Sequence, residues 1–228
     1  MNLAGTTPKM LLKRIIDLGL ATTAVLLLSP LFLVAGFLVL LRDGPPVFYV
    51  SVRVGRNRQP FRLIKFRTMQ SDLGVAQNRI TLGASDARIT ALGRHLRRWK
   101  IDELPQLFNV VLGDMSIVGP RPEDPRYVES YDDSDMEVFC VRPGLTDITV
   151  TRGHLHDAAL LDRIPESERE EFYKKVLMKR KLRLNIAYIR NWSLAADFRI
   201  IVKTALILLR IIPNKVPEEL YVDGAHQR

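Results

Sequence analysis

The feature that most restricts this chain is an uncharged run of 24 residues, Leu18 to Leu41, broken at its centre by Ser29 and Pro30. About 20 apolar residues cross the hydrocarbon of a bilayer, so length alone permits a straight span. The midpoint works against one. Pro30 removes the hydrogen bond to the Leu26 carbonyl, and its ring forces the helix to bend. Each half of 12 residues then reaches about 18 Å, little past the middle of a layer about 30 Å thick. A helix that enters, bends and leaves on the same face fits, with a kinked transmembrane helix as the alternative. Loop charge favours re-entry: Lys9, Lys13 and Arg14 precede the run, Arg42, Arg53, Arg56 and Arg58 follow it, and positive flanks mark the cytoplasmic side. A cleaved signal peptide fits less well, since the run exceeds the usual h-region of about 7 to 15 residues and lacks a convincing small-residue cleavage site. Asp17, at the edge of the run, needs a partner. Lys13 one turn back and Arg14 three residues back offer an anchoring surface ion pair at the helix entrance.

At 228 residues the rest of the chain suffices for one soluble-facing domain. The expected division is a membrane-associated segment over 1–41, a catalytic domain on the cytoplasmic face over 42–212, and a loosely ordered tail over 213–228. A net charge of +9 and a pI near 9.9 imply an anionic partner: nucleic acid, phospholipid or a phosphorylated substrate. Cys140 is the only cysteine, which excludes an internal disulfide.

Along that domain, Val47–Gly55 and Phe61–Met69 are rich in β-branched and aromatic residues and flank a turn with Gly55, Asn57 and Pro60, which predicts a β-hairpin. Gln70–Asp86 is polar and reads as a mobile loop. Ile89, Leu92, Leu96 and Trp99 then recur at helical spacing on a helix that carries Arg94, Arg97 and Arg98 towards the next segment. There Asp102 suits an N-cap, Pro105 is tolerated in the first turn and Gly113 ends the helix. Met115–Pro125 reads as a constrained loop, Arg142–Val150 as a turn entering a short extended piece, and Glu166–Asn191 as a charged helix. From Asp197 to Ile212, Arg199, Lys203 and Arg210 fall within about 40° on a wheel advancing about 100° per residue. Such a helix can lie in a membrane interface with its cations reaching lipid phosphates, or pack as a basic amphipathic helix on another domain.

The chemistry concentrates between Lys100 and Pro122, in KIDELPQLFNVVLGDMSIVGPRP. Adjacent carboxylates, Asp102 and Glu103, stand at the mouth of a helix, and Arg121 follows between two prolines. In isolation these are a cap and a first-turn charge that complements the helix dipole. Clustered arginines just upstream, Lys65 and Arg67 in a strand, Arg121 and a neighbouring membrane element point instead to phosphoryl transfer at a lipid surface. An aspartate of pKa about 3.9 is already ionised at neutral pH and can attack without an activating base. Repulsion is the difficulty: two negative charges about 4 Å apart cost about 4 kcal/mol at a dielectric of about 20, roughly three decades in rate. Arginine forks and a Mg²⁺ held partly by Glu103 would screen it. For Lys65 and Arg97 a solvated strand or helix face stands beside the phosphate-binding reading.

KRIID near the start, the SP break, KFRTM, the DELPQLFNVVLGDMSIVGPRP run, RPGLT and YIRNWSLAADFRIIVKT together resemble bacterial phosphoglycosyl transferases of the small monotopic type, over roughly Lys13 to Leu209. The resemblance implies an α+β monotopic membrane protein: an N-terminal re-entrant helix broken at Ser29 and Pro30, a helical catalytic domain with a β-hairpin, and interfacial amphipathic helices. It also implies a two-step reaction at the cytoplasmic face of the bacterial inner membrane, opening the synthesis of a lipid-linked glycan. Asp102 would attack the β-phosphate of a UDP-sugar and release UMP; polyprenol phosphate would then collect the phosphosugar. Glu103 matches the family's Mg²⁺-binding glutamate, and Lys65, Arg97 and Arg121 its phosphate contacts. One stretch departs from many relatives: PGLTG is replaced by PGLTD, placing Asp147 where they carry glycine, and Arg152 is displaced. That change bears on sugar identity or is a reshaped turn.

Two other classes compete. A non-catalytic membrane scaffold could use the basic surface to recruit an anionic partner. A nucleic-acid-binding protein could use it on phosphates, but the arginines form no recognition motif and sit beside an acidic pair that would repel a nucleic-acid backbone. His95, His154 and His156 read as surface or loop histidines rather than metal ligands.

Overall fold

A computed structural model describes residues 8–70, 86–153 and 156–214. The polar segment expected as a loop, His154 and most of the C-terminal tail lie outside the described residues. Two helices open the chain, α1 (Pro8–Leu27) and α2 (Ser29–Asp43), bent by 61° at the break between them. Ser29 and Pro30 divide the work there. The proline cannot donate to the Leu26 carbonyl, and Ser29 Oγ donates to that carbonyl instead, at 2.8 Å. No single described helix is long and apolar enough to cross a membrane; the bent pair passes that test only together.

The hairpin forms as expected, β1 (Phe48–Val54) antiparallel to β2 (Pro60–Phe66). Next come α3 (Ala91–Arg98), capped by the Thr90 side chain on Gly93 N, and α4 (Gln106–Leu112), which Gly113 ends at φ 98°. The stretch expected as a constrained loop contains a strand, β3 (Ser116–Val118), paired in parallel with β4 (Gly144–Thr146). Short helices α5 (Pro125–Val128) and α6 (Asp157–Leu161) follow their respective strands. Then α7 (Glu166–Phe172) runs through a π-helical segment, Tyr173–Met178, into α8 (Lys179–Arg190). The last helix, α9 (Leu194–Leu208), stops short of the expected Ile212. Arg210 therefore lies beyond it, at φ 60°, with its guanidinium over the Trp99 ring 4.8 Å away.

Two apolar clusters fasten the bent pair to the body. Ala21 of α1 packs with Leu63, Leu107, Val110 and Met115, while Ala35 and Val39 of α2 pack with Phe66 and Leu96. Both polar ends of the pair are tied to the same body. At one end Lys13 Nζ donates to Asp197 Oδ2 at 2.7 Å, and Arg14 donates to the Val110 and Val111 carbonyls at 2.7 and 3.0 Å. At the other, Arg67 donates to the Asp43, Gly44 and Pro45 carbonyls, and Thr90 Oγ1 to Asp43 Oδ2. The outward faces stay apolar and exposed, with Leu26, Leu27, Leu33 and Phe37 between 60% and 75% accessible.

The expected surface pair at Asp17 is a buried node instead. Asp17 takes Ser116 Oγ at 2.7 Å, Ile117 N at 3.2 Å and Lys13 Nζ at 3.7 Å. Arg14 is not its partner, because carbonyls in the last turn of α4 claim it. Asp197 is also bonded by Tyr188 OH at 2.5 Å and Trp192 Nε1 at 3.1 Å.

Candidate active site

Asp102 and Glu103 are not in the helix whose mouth they were expected to cap. They occupy a separate 3₁₀ turn, Ile101–Glu103, and the residue at the N-terminal boundary of α4 is Pro105. The turn is set by Lys100, whose φ of 58° places a residue with a side chain in the left-handed region. Both carboxylates are buried, at 6% and 8% exposure. A buried cap would have spent its oxygens on backbone N–H groups, whereas Asp102 Oδ1 has no hydrogen-bond partner among the described residues.

Three cations converge on one oxygen of Glu103. Arg121 Nη2 lies 2.7 Å from Oε1, Lys65 Nζ 3.1 Å and Lys100 Nζ 3.8 Å. The second oxygen, Oε2, meets Arg121 Nη1 at 3.4 Å, the edge of a hydrogen bond. Burial pushes the Glu103 carboxyl up, but Arg121, Lys100 and Lys65 outweigh it and hold the group well below the usual carboxylate range. Asp102 goes the other way. Burial and the neighbouring Glu103 charge raise it, and Lys65, Lys100 and Arg97 only partly offset that. Two adjacent carboxylates thus differ in environment: one is held as an anion by its clamp, while the other has a raised pKa and an oxygen without a hydrogen-bond partner among the described residues.

Each clamp residue has a structural reason for its place. Lys65 is on β2, which α4 grips through Asn109: its Oδ1 accepts from Ile64 N at 3.1 Å and its Nδ2 donates to the Arg62 carbonyl at 2.7 Å. Arg121 follows β3 in a loop extended by two backbone bonds, Gly119 N to the Thr146 carbonyl and Gly144 N to the Pro120 carbonyl. These strands touch at Gly144, where a Cβ would fall 2.1 Å from Gly119 N, so no larger residue fits. Arg97 is held by Thr68, whose Oγ1 accepts from its Nε at 2.9 Å. Burial lowers its pKa while Asp102, Asp86 and Glu103 raise it, so it bears on the pair as a charge. Arg94 and Arg98 do not join it: Arg94 turns back to the Ile89 carbonyl and Arg98 is exposed.

Asp147, the departure from the PGLTG pattern, is buried and accepts from Thr149 N at 2.5 Å and Val150 N at 3.1 Å. Its carboxylate organises a reshaped turn and adds negative potential at Arg121. His95 and His156 are exposed, and no group of three or more potential metal ligands occurs among the described residues.

Residues 8–211 match the model of a known family, described as bacterial sugar transferase. The chain belongs to the bacterial sugar transferase family. It is 36% identical over 206 residues to the exopolysaccharide production protein ExoY of Rhizobium meliloti, covering 84% of this chain and 83% of that one. It is 34% identical to the UDP-glucose:undecaprenyl-phosphate glucose-1-phosphate transferase of Caulobacter vibrioides, over 86% of this chain and 69% of the relative. A third relative is the UDP-N-acetylgalactosamine-undecaprenyl-phosphate N-acetylgalactosaminephosphotransferase of Aeromonas hydrophila, 36% identical over 87% of this chain but only 44% of that longer protein.

This sugar transferase carries site residues that its sequence did not announce. Lys100, three residues before Glu103, was legible as an i,i+3 pair but was not singled out. Thr68 gives no sequence signal, since its partner Arg97 is far along the chain. Gln106, Lys181 and Asn185 line a cavity beside Arg121; the one-turn spacing of the last two was the only hint.

Proposed function

We propose that this transferase moves a sugar 1-phosphate from a UDP-sugar to polyprenol phosphate, with undecaprenyl phosphate as the natural acceptor, through a covalent phosphosugar on Asp102. The observation that carries the reading is the buried Asp102 carboxylate with an oxygen bonded to nothing, next to a carboxylate clamped by three cations. An ionised carboxylate with an uncommitted oxygen is a nucleophile that needs no general base. The names of the Caulobacter and Aeromonas relatives describe transfer of a sugar phosphate to undecaprenyl phosphate, which supports the overall reaction.

In the first step an Asp102 oxygen bonds to the β-phosphorus while the bond from that phosphorus to the bridging oxygen breaks, and UMP leaves with the electron pair. In the second, a phosphate oxygen of polyprenol phosphate attacks the same phosphorus and Asp102 departs as a carboxylate. Lys65, Lys100, Arg97 and Arg121 lower the repulsion between carboxylate and diphosphate. Mg²⁺ fits the donor set, because Glu103 Oε2 is loosely held and this ion is usually bound by one or two carboxylates, with substrate phosphates and water completing its shell. Glu103 would hold it, and the ion would neutralise diphosphate charge.

We place the reaction at the cytoplasmic face of the bacterial inner membrane, with α1 and α2 dipping into the bilayer and out again and α9 lying at the interface. In support, both polar ends of the bent pair are bonded to one body, and a spanning helix would carry one end away from it. Exposed Phe198 and Leu209, beside Arg199 and Lys203, suit the interface. The test is UMP release by the purified full-length protein given a panel of UDP-sugars, polyprenol phosphate and Mg²⁺. Release with one sugar, abolished in Asp102→Asn, is expected; folded protein that releases none would leave the scaffold reading in possession.

A further inference from the structure

Behind Arg121 lies a cavity of about 120 Å³. The hairpin supplies Arg53 and Lys65, the loop after β3 supplies Arg121 and Glu123, and α8 supplies Lys181 and Asn185. It adjoins the carboxylate pair through two shared cations, since Lys65 and Arg121 line it while both hold Glu103 Oε1. Four cations face it against the carboxylate of Glu123. That carboxylate is already engaged: Oε1 accepts from Asp124 N at 3.0 Å and Oε2 from Tyr173 OH at 3.0 Å. Lys181 is tucked in deeply, at 12% side-chain exposure, 3.3 Å from Asp157 and with its ammonium 4.8 Å from the centre of the Tyr173 ring.

Two buried amides on the wall are incomplete. Gln106 and Asn185, 2% and 4% exposed, leave Gln106 Nε2 and Asn185 Oδ1 with no hydrogen-bond partner among the described residues. A buried donor and a buried acceptor left unmet are costly, and a cavity ligand of matching polarity would recover that cost. Phe139, Met178 and Leu182 are among its apolar lining, so the space combines cations, two of them shared with Glu103, with unpaired amide groups and apolar surface.

We infer that this cavity receives the nucleotide half of the donor, with Lys181 and Arg121 holding the phosphate that leaves and the Asn185 and Gln106 amides reading the uracil edge. The inference rests on the transfer reaction proposed above. Uracil alternates carbonyl, N3–H and carbonyl; Asn185 Oδ1 can accept the N3–H, and Gln106 Nε2 can donate to an adjacent carbonyl. Cytosine lacks the proton at N3 and would leave the acceptor unmet. Lys181 and Asn185 are one helical turn apart on α8, a spacing that sets phosphate and base contacts on one face.

The test is calorimetric binding of UMP and CMP to the full-length protein in nanodiscs, alone and as Lys181→Met and Asn185→Leu. UMP is expected to bind at least about tenfold more tightly than CMP. Each variant should weaken UMP at least about tenfold, and for UDP-sugar turnover the loss should appear mainly in KM. The variants separate the contacts: Asn185→Leu should erase the UMP preference, while Lys181→Met should weaken both nucleotides equally. If Lys181→Met fails to fold because Asp157 loses one of its cations, Asn185→Leu and Gln106→Leu carry the test alone. Equal affinity for UMP and CMP, or unchanged UMP affinity in the folded variants, overturns the inference. Wild-type UMP release alongside such unchanged binding removes the cavity assignment only. UMP binding that depends on Asn185, without any UMP release, retains the cavity and removes the reaction.

Discussion

Two clusters of this transferase, each pairing buried carboxylates with cations, are arranged to opposite ends. Around Lys13, Asp17 and Asp197 each carboxylate is met from several sides: Asp17 by Ser116, Ile117 N and Lys13, and Asp197 by Lys13, Tyr188 and Trp192. Around Asp102 and Glu103 the partners are shared unequally, with three cations on Glu103 and an Asp102 oxygen left bare. A satisfied buried network fastens; here it sews the start of α1 to β3 and α9. An unsatisfied buried carboxylate destabilises, and it persists where reactivity requires it.

The comparison predicts opposite outcomes for similar substitutions. Asp102→Asn should cut UMP release by at least about 10³-fold and raise the melting temperature, because it removes a buried charge the fold does not satisfy. Asp197→Ala should do the reverse. Breaking a buried pair costs about 3–5 kcal/mol, visible in chemical denaturation, while turnover per folded molecule stays near wild type.

Smaller effects sharpen the contrast. Ser29→Ala leaves the Leu26 carbonyl without its hydroxyl partner and should cost about 0.5–1.5 kcal/mol, read from a melting curve with re-entry preserved. The pH dependence of stability should split by residue. The folded pKa of Glu103 is depressed, so its contribution is present above the ordinary glutamate value and lost as pH falls through the lowered one. Asp102 has a raised folded pKa, so its ionisation weakens the fold as pH rises past the ordinary aspartate value. The melting temperature of Asp102→Asn should therefore exceed that of the wild type more at pH 7 than at pH 4; an equal gap at both would refute the assignment.

How much could be read beforehand follows the range of the forces involved. The hairpin, the helix ended by Gly113, the long charged helix and the break at Ser29 and Pro30 are local, and the sequence pattern showed them. Strand β3 has three residues and a parallel partner, Gly144–Thr146, far along the chain, so no local periodicity reports it. Asp102 looked like a cap because Asp before a helix usually is one; the left-handed Lys100 and a separate turn moved it out of that role. The partners of Asp17 escaped for the same reason as β3, since Ser116 is 99 residues away. The chemical groups were legible as a set, whereas their unequal sharing of charge depends on where the fold puts Lys65 and Arg121.

The central claim is that the unpartnered carboxylate of Asp102 becomes bonded to phosphorus. Incubating the protein with its UDP-sugar in the absence of polyprenol phosphate, quenching, and mapping peptides by mass spectrometry tests this directly. The account predicts a sugar-phosphate increment on Asp102 that disappears when polyprenol phosphate is added. UMP release with the increment on another residue, or with none, would contradict it.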